Sequence, residues 1–117
     1  MIPVDQTKFP VRGNCVRACI ASILEIDIDS IPAWEDQTIN WHLHAKGWLR
    51  ERGYGLSCVV PGVCSQDDTY GIAIGDTTRS VLYQHACVCL NGKIVHDPYP
   101  SKAGLTSITR IWEIWKV

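Results

Sequence analysis

Asn91-Gly92 lies between two runs rich in β-branched and small apolar residues, His85 to Leu90 and Lys93 to Asp97. Asn-Gly takes positive φ readily at both central positions of a tight turn, so the segment reads as two antiparallel strands joined in a hairpin. A hairpin fixes register, and side chains alternate between faces with period two, so the turn decides which side chains meet. With a strict two-residue turn, Asp97 falls opposite Ala86 and points away from His85. A three-residue turn with a bulge at Gly92 places Asp97 directly opposite His85. Such a bulge is expected, or a twist where the strand ends at Pro98.

A second informative stretch is Gly13-Asn14-Cys15-Val16-Arg17-Ala18-Cys19-Ile20-Ala21-Ser22-Ile23-Leu24. Val16, Cys19, Ile20, Ile23 and Leu24 recur at the three-and-four spacing of a buried helical stripe, and Ala18, Ala21 and Ser22 are small enough for close packing on a sheet. Cys15 falls at the mouth of this helix. A helix N-terminus presents unpaired N–H groups and partial positive charge, which favours a thiolate facing a reacting carbonyl. Cys19, a turn further in, reads as a small core residue. Histidine acts as a general base when a partner on its far nitrogen holds one tautomer, and Asp97 at the end of a neighbouring strand is suited to that task.

The helix-mouth cysteine, the strand-borne histidine, the Gly turn and the following strand ending in Asp-Pro resemble the papain-like cysteine peptidases. The closest pattern is the leader-peptide peptidase domain of bacteriocin exporters and its small relatives among bacterial and phage proteins. The resemblance covers most of the chain in element order and rests on two motifs. It implies Cys15 as nucleophile, His85 as general base and Asp97 as its orienting partner. The family also places a glutamine a few residues before the cysteine to complete the oxyanion hole. The only upstream candidate is Gln6, further from Cys15 than the usual spacing, with Pro10 and Gly13 between; the Cys15 N–H and the Asn14 side chain are alternative donors.

The 117 residues, 46% of them hydrophobic, suffice for one domain with a single core. A formal net charge of −1 and the lack of a basic run argue against a nucleic-acid partner. The first residues, Met1 to Lys8, have no charged head followed by an apolar stretch, and no segment is long enough to span a bilayer. A cytoplasmic protein without membrane association is therefore expected, and the resemblance implies a peptide or protein substrate. The six cysteines do not suggest a disulfide framework in that compartment. Cys87 and Cys89 share one strand face, a poor geometry for bonding each other. His85, Cys87, Cys89 and His96 are residue types that zinc accepts, and one hairpin face would gather them. No Cys-x-x-Cys knuckle is present, however, and neither a metal nor another cofactor is expected.

The remaining chain reads as scaffold. A turn follows the first helix at Asp27 to Pro32, and a second helix is expected from about Thr38 to Arg52, packed beside the first, with Trp41, Ala45, Trp48 and Leu49 on one face. Trp34, Trp41 and Trp48 read as core rather than as a stacking surface, and His42 and His44 as solvated. Strands are expected at Leu56 to Val60 and Tyr70 to Ile74, with a polar turn at Ser65-Gln66-Asp67-Asp68. Residues 75–80 are expected to form a loop over the cleft, where Arg79 would bind a substrate carboxylate or phosphate if it is not simply solvated. Residues 98–104 should form a second loop near the site. Ile108 to Val117 is assigned as a strand closing the sheet. The expected fold is α+β: N-terminal helices on a small antiparallel sheet, papain-like by the resemblance. The expected chemistry is acyl transfer through an acyl enzyme, as in a peptidase, isopeptidase or amidase. An inactive binding module, a zinc-stabilised interaction protein, and an acyltransferase or deamidase remain open alternatives.

Overall fold

The computed structural model describes residues 1–9, 13–36, 40–61 and 68–117. Ser65, Gln66 and Asp67 of the expected polar turn, and the Thr38 start of the second helix, lie outside the described residues. Helix α1 (Cys15–Leu24) is followed by two single turns of 3-10 helix, Ile28–Ser30 and Trp34–Asp36, and then by α2 (Trp41–Glu51). Five strands complete the chain: β1 (Tyr54–Val59), β2 (Tyr70–Thr77), β3 (Ser80–Leu90), β4 (Lys93–His96) and β5 (Ser107–Lys116). They form one antiparallel sheet in the order β1-β5-β2-β3-β4. The α+β class and the strand count agree with the expectation.

Of the expected stripe of α1, Cys19 and Ile20 are fully enclosed while Val16, Ile23 and Leu24 are partly buried against the core, and the small residues Ala18 and Ala21 are enclosed as well. The helix stops at Glu25, whose left-handed backbone (φ 60) turns its N–H onto the Ala21 carbonyl. The small residues bring α1 onto β3 and β2, where it packs against Ile72, Ala86 and Val88. Helix α2 packs on β1 through Ala45 and Leu49, not beside α1 as expected. Trp34 and Trp48 meet edge to face within this core, at 5.9 Å between ring centroids. Trp41 meets Trp112 similarly, and His42, expected to be solvated, stacks on Trp112 at 4.9 Å. A smaller cluster of Ala73, Cys89 and Ile111 lies on the other face of the sheet.

Two further expectations change. The C-terminal strand does not close the sheet; β5 lies inside it between β1 and β2, so its composition of Ile and Trp is that of an interior strand. Residues 75–80 do not form a loop. Strands β2 and β3 continue to a two-residue turn at Thr78-Arg79, with Thr77 paired to Ser80. Gly75 makes this possible, because a Cβ there would stand 1.8 Å from the Ser107 carbonyl oxygen where the β2–β5 register shifts.

Candidate functional site

The Asn91-Gly92 turn is the strict two-residue form, with φ of 54 and 82 and Leu90 paired to Lys93. The bulge expected at Gly92 occurs instead at Val95: Cys89 pairs with Ile94, and the next pair is Val88 with His96. That single extra residue reverses the parity of everything after it. His96 joins the helix-side face with Val88, where its Nε2–H donates to the Val4 carbonyl at 2.8 Å. Asp97 joins the face of His85 and Cys87. The convergence of His85, Cys87, Cys89 and His96 considered for zinc therefore does not form, because His96 lies across the sheet from the other three.

Asp97 is 5% exposed and its carboxylate is saturated with donors. Oδ1 accepts from His85 Nε2 at 2.7 Å and from the Tyr99 N–H at 2.9 Å, and Oδ2 accepts from the Gly104 N–H at 2.8 Å. The Cys87 sulfur lies within 4.8 Å of the same carboxylate, whose charge helps to raise the thiol. Burial alone would raise the Asp97 carboxyl, but the bonds from His85, Tyr99 and Gly104 outweigh it and hold the group below the ordinary carboxylate range. An ionised carboxylate only accepts, so Nε2 of His85 carries the ring proton and Nδ1 is left with its lone pair. Burial lowers the His85 pKa, against the opposing pull of Asp97, and the charge on Arg79 lowers it further.

Cys15 begins α1, whose preceding residue Asn14 makes no side-chain cap bond and whose first turn holds no acidic residue. Its sulfur lies against the backbone N–H groups of Ala86, Val16 and Cys15 itself, each of which favours a thiolate. Burial is the larger effect and pushes the thiol above the ordinary cysteine range. The direction is opposite to the lowered thiol expected from the helix mouth: burial acts on Cys15 more strongly than the N–H groups around its sulfur. Burial likewise raises Cys19 and Cys87.

Cys15 and His85 line one cleft of about 110 Å³, together with Gln6, Arg79 and Tyr99. The long spacing between Gln6 and Cys15 is taken up by an N-terminal strap folded back onto the helix start. Val4 N–H donates to Ser22 Oγ and Gln6 N–H to the Pro98 carbonyl, which ties the strap to α1 and to the end of the hairpin. Gln6 is 5% exposed; its Nε2 donates to the Lys8 carbonyl at 3.0 Å, and Oε1 has no partner among the described residues. Asn14 does not serve as the free donor expected of it. Its Oδ1 accepts from the Thr7 and Lys8 N–H groups and its Nδ2 donates to Thr7 Oγ1, so the whole amide clamps the strap.

Arg79, at the Thr78-Arg79 turn, lays its guanidinium on the Tyr99 ring at 3.6 Å from the centroid. Tyr99 also meets the His85 ring edge to face at 6.1 Å and the Phe9 ring at 5.5 Å. Tyr99 was not singled out from the sequence, and Cys87 only as one of the residue types that zinc accepts. The signal for Cys87 was its position two residues from His85 on one strand, and for Tyr99 its place directly after Asp97-Pro98. His85, Cys87 and Asp97 present ligand atoms within 4.8 Å of one another. A cation there would have to displace the two backbone N–H groups already held by the carboxylate.

No family model matches the chain, and neither the curated proteins nor the solved structures compared with it give a match. No helix among the described residues is long and apolar enough to cross a membrane.

Proposed function

We propose that this chain is a papain-like cysteine hydrolase that cleaves an amide-type bond in a peptide or protein substrate of the cytoplasm through an acyl enzyme. The observation that carries the reading is the His85 Nε2 to Asp97 Oδ1 bond of 2.7 Å, which leaves Nδ1 as the proton acceptor of a ring lining the same cleft as Cys15. His85 takes the thiol proton as the sulfur attacks the carbonyl carbon. The carbonyl oxygen becomes an oxyanion beside the Cys15 N–H and the second hydrogen of the Gln6 amide, the first being held by Lys8. Collapse breaks the C–N bond, and His85 returns the proton to the leaving amine. Water then attacks the thioester while His85 accepts its proton; the thiol leaves reprotonated and the acid is released. The raised Cys15 thiol and the lowered His85 imidazole both favour this order, in which the proton moves with attack rather than before it.

p-Nitrophenyl acetate tests the reading without knowledge of the substrate. The expected result is a p-nitrophenol burst, an acetyl group located on Cys15 by mass spectrometry, and its loss with turnover. His85→Ala should lower the acylation rate by about 10²–10⁴-fold. Acetylation confined to the exposed Cys58, or an unchanged rate in His85→Ala, would overturn it. That outcome would favour a binding module in the same cleft, a reading supported by the raised thiol of Cys15.

A further inference from the structure

Among the described residues Arg79 has no anionic partner, unlike Lys102 and Arg17. Lys102 is paired with Asp5, and Arg17 with Glu35. Arg79 Nη1 is buried yet has no hydrogen-bond partner among the described residues. A desolvated guanidinium N–H without an acceptor is costly, and such groups are ordinarily satisfied by protein, water or ligand. The head is also held in place. Its backbone is fixed by a two-residue turn whose Arg79 N–H reaches Thr77 Oγ1 at 3.4 Å, and its plane is fixed by stacking on Tyr99. Tyr99 is itself flanked by Phe9 and His85. Arg79 lines the same cleft as Cys15 and His85, and its charge opposes the rise that burial imposes on the Cys15 thiol and adds to the lowering of His85.

We propose that Arg79 is the carboxylate-recognition residue of this cleft, and that the substrate carries a carboxylate about one residue from the carbonyl attacked by Cys15. The second half of that statement rests on the hydrolase reading above; the first does not. The cleft of about 110 Å³ holding both Cys15 and Arg79 is far smaller than a typical ligand pocket of ~300–1,000 Å³, which limits the span between them to a short group. A carboxylate fits better than a phosphate. Arg79 is the only Lys or Arg among the described lining residues, so a dianion would be half compensated, and a planar guanidinium matches a planar carboxylate edge to edge. Two sources share this chemistry: the free C-terminus of a peptide, and an Asp or Glu side chain within a longer one.

The experiment is a titration of the full chain as Cys15→Ser, followed by NMR at the Arg79 side-chain Nε–H and the Tyr99 amide at constant ionic strength. The probes are N-acetylglycine, N-acetylaspartic acid α-amide with its terminus blocked, and the neutral N-acetylglycinamide. A carboxylate probe is expected to give saturable shifts with a Kd at least about tenfold below that of the neutral probe, the factor typical of one charge-assisted hydrogen bond. Preference for N-acetylglycine assigns the carboxylate to a free C-terminus, and preference for the aspartate probe assigns it to a side chain. Arg79→Gln should abolish the preference, and Arg79→Lys, which keeps the charge and the turn, should retain part of it. Equal affinity for charged and neutral probes, or a preference that survives Arg79→Gln, overturns the proposal. Cys15 takes no part in this titration, so failure of the acylation test leaves its result standing, and failure of the titration leaves the acylation test standing.

Discussion

Asp97→Asn is nearly isosteric and asks how much of the fold depends on one buried carboxylate. The carboxylate accepts from His85 and Tyr99 on Oδ1 and from Gly104 on Oδ2. An asparagine has one acceptor oxygen, so one side must become a donor. If the NH₂ takes the place of Oδ2, it faces the Gly104 N–H and leaves that donor orphaned. In the other orientation it faces the Tyr99 N–H and forces His85 into its other tautomer. Either way one buried backbone N–H loses its acceptor, costing about 1–3 kcal/mol, and the surviving bonds lose their charge assistance, about 1 kcal/mol more. The expected loss is about 2–4 kcal/mol at pH 7. For a domain of this size that corresponds to a fall in Tm of order 10 °C.

The pH dependence makes the test sharper. Asp97 is held below the ordinary carboxylate range in the folded protein. Its contribution is therefore complete above the unfolded pKa of about 3.9 and is lost as pH falls through the lower folded value. His85 is lowered on folding, so the unfolded chain gains a proton first and stability declines as pH falls below about 6.5. Without the Asp97 charge, which opposes that lowering, the decline in Asp97→Asn extends to lower pH than in the wild type. The gap between the two proteins should therefore widen as pH falls below about 6.5 and close again below about pH 4, where the Asp97 contribution is lost. Urea unfolding followed by tryptophan fluorescence at three pH values reads this directly. A gap under about 0.5 kcal/mol at pH 7, within the range of an ordinary surface substitution, would refute the reasoning. So would a gap that stays constant down to pH 3.

Two other substitutions probe how the site is held. Arg17 is buried and bonds Glu35 at 2.8 Å and the carbonyls of Ile28 and Ile31; Arg17→Ala leaves those acceptors and the Glu35 charge without it, and should cost roughly 3–5 kcal/mol by urea unfolding. Asn14→Ala removes the acceptor of two backbone N–H groups and frees the strap; a loss of about 2–4 kcal/mol, with raised hydrogen exchange at Thr7 and Lys8, is expected, and unchanged exchange would count against the clamp.

The elements that were legible from the sequence are those whose signal is local. The Asn91-Gly92 turn needs only the φ preference of two residues, and α1 only the spacing of its apolar stripe. The identity of β5 as a strand followed from its composition, but its interior position did not, because strand order is set by which edges remain to be paired. Arg17 gave no sign of burial, since its partners lie 11 to 18 residues away in a segment with no regular pattern. Residues 75–80 carry Gly, Asp and Thr, which read as loop; Gly75 is instead required by the close approach of β5.

The Val95 bulge explains both the success and the error in reading the hairpin. Ile94-Val95-His96-Asp97 offers two polar side chains of opposite parity, and nothing local says which one will face His85. The choice is tertiary. One register gives His96 the Val4 carbonyl and gives Asp97 the N–H groups of Tyr99 and Gly104; the unbulged register would move both side chains to the wrong face and strand them without these partners. The strap matters for the same reason: Val4 holds His96, Gln6 holds Pro98, and the next residues reach Asn14 at the start of α1. The segment that fixes the hairpin register is thus the one that brings Gln6 to the cleft, so the His85–Asp97 pair and the Gln6 wall should be gained or lost together.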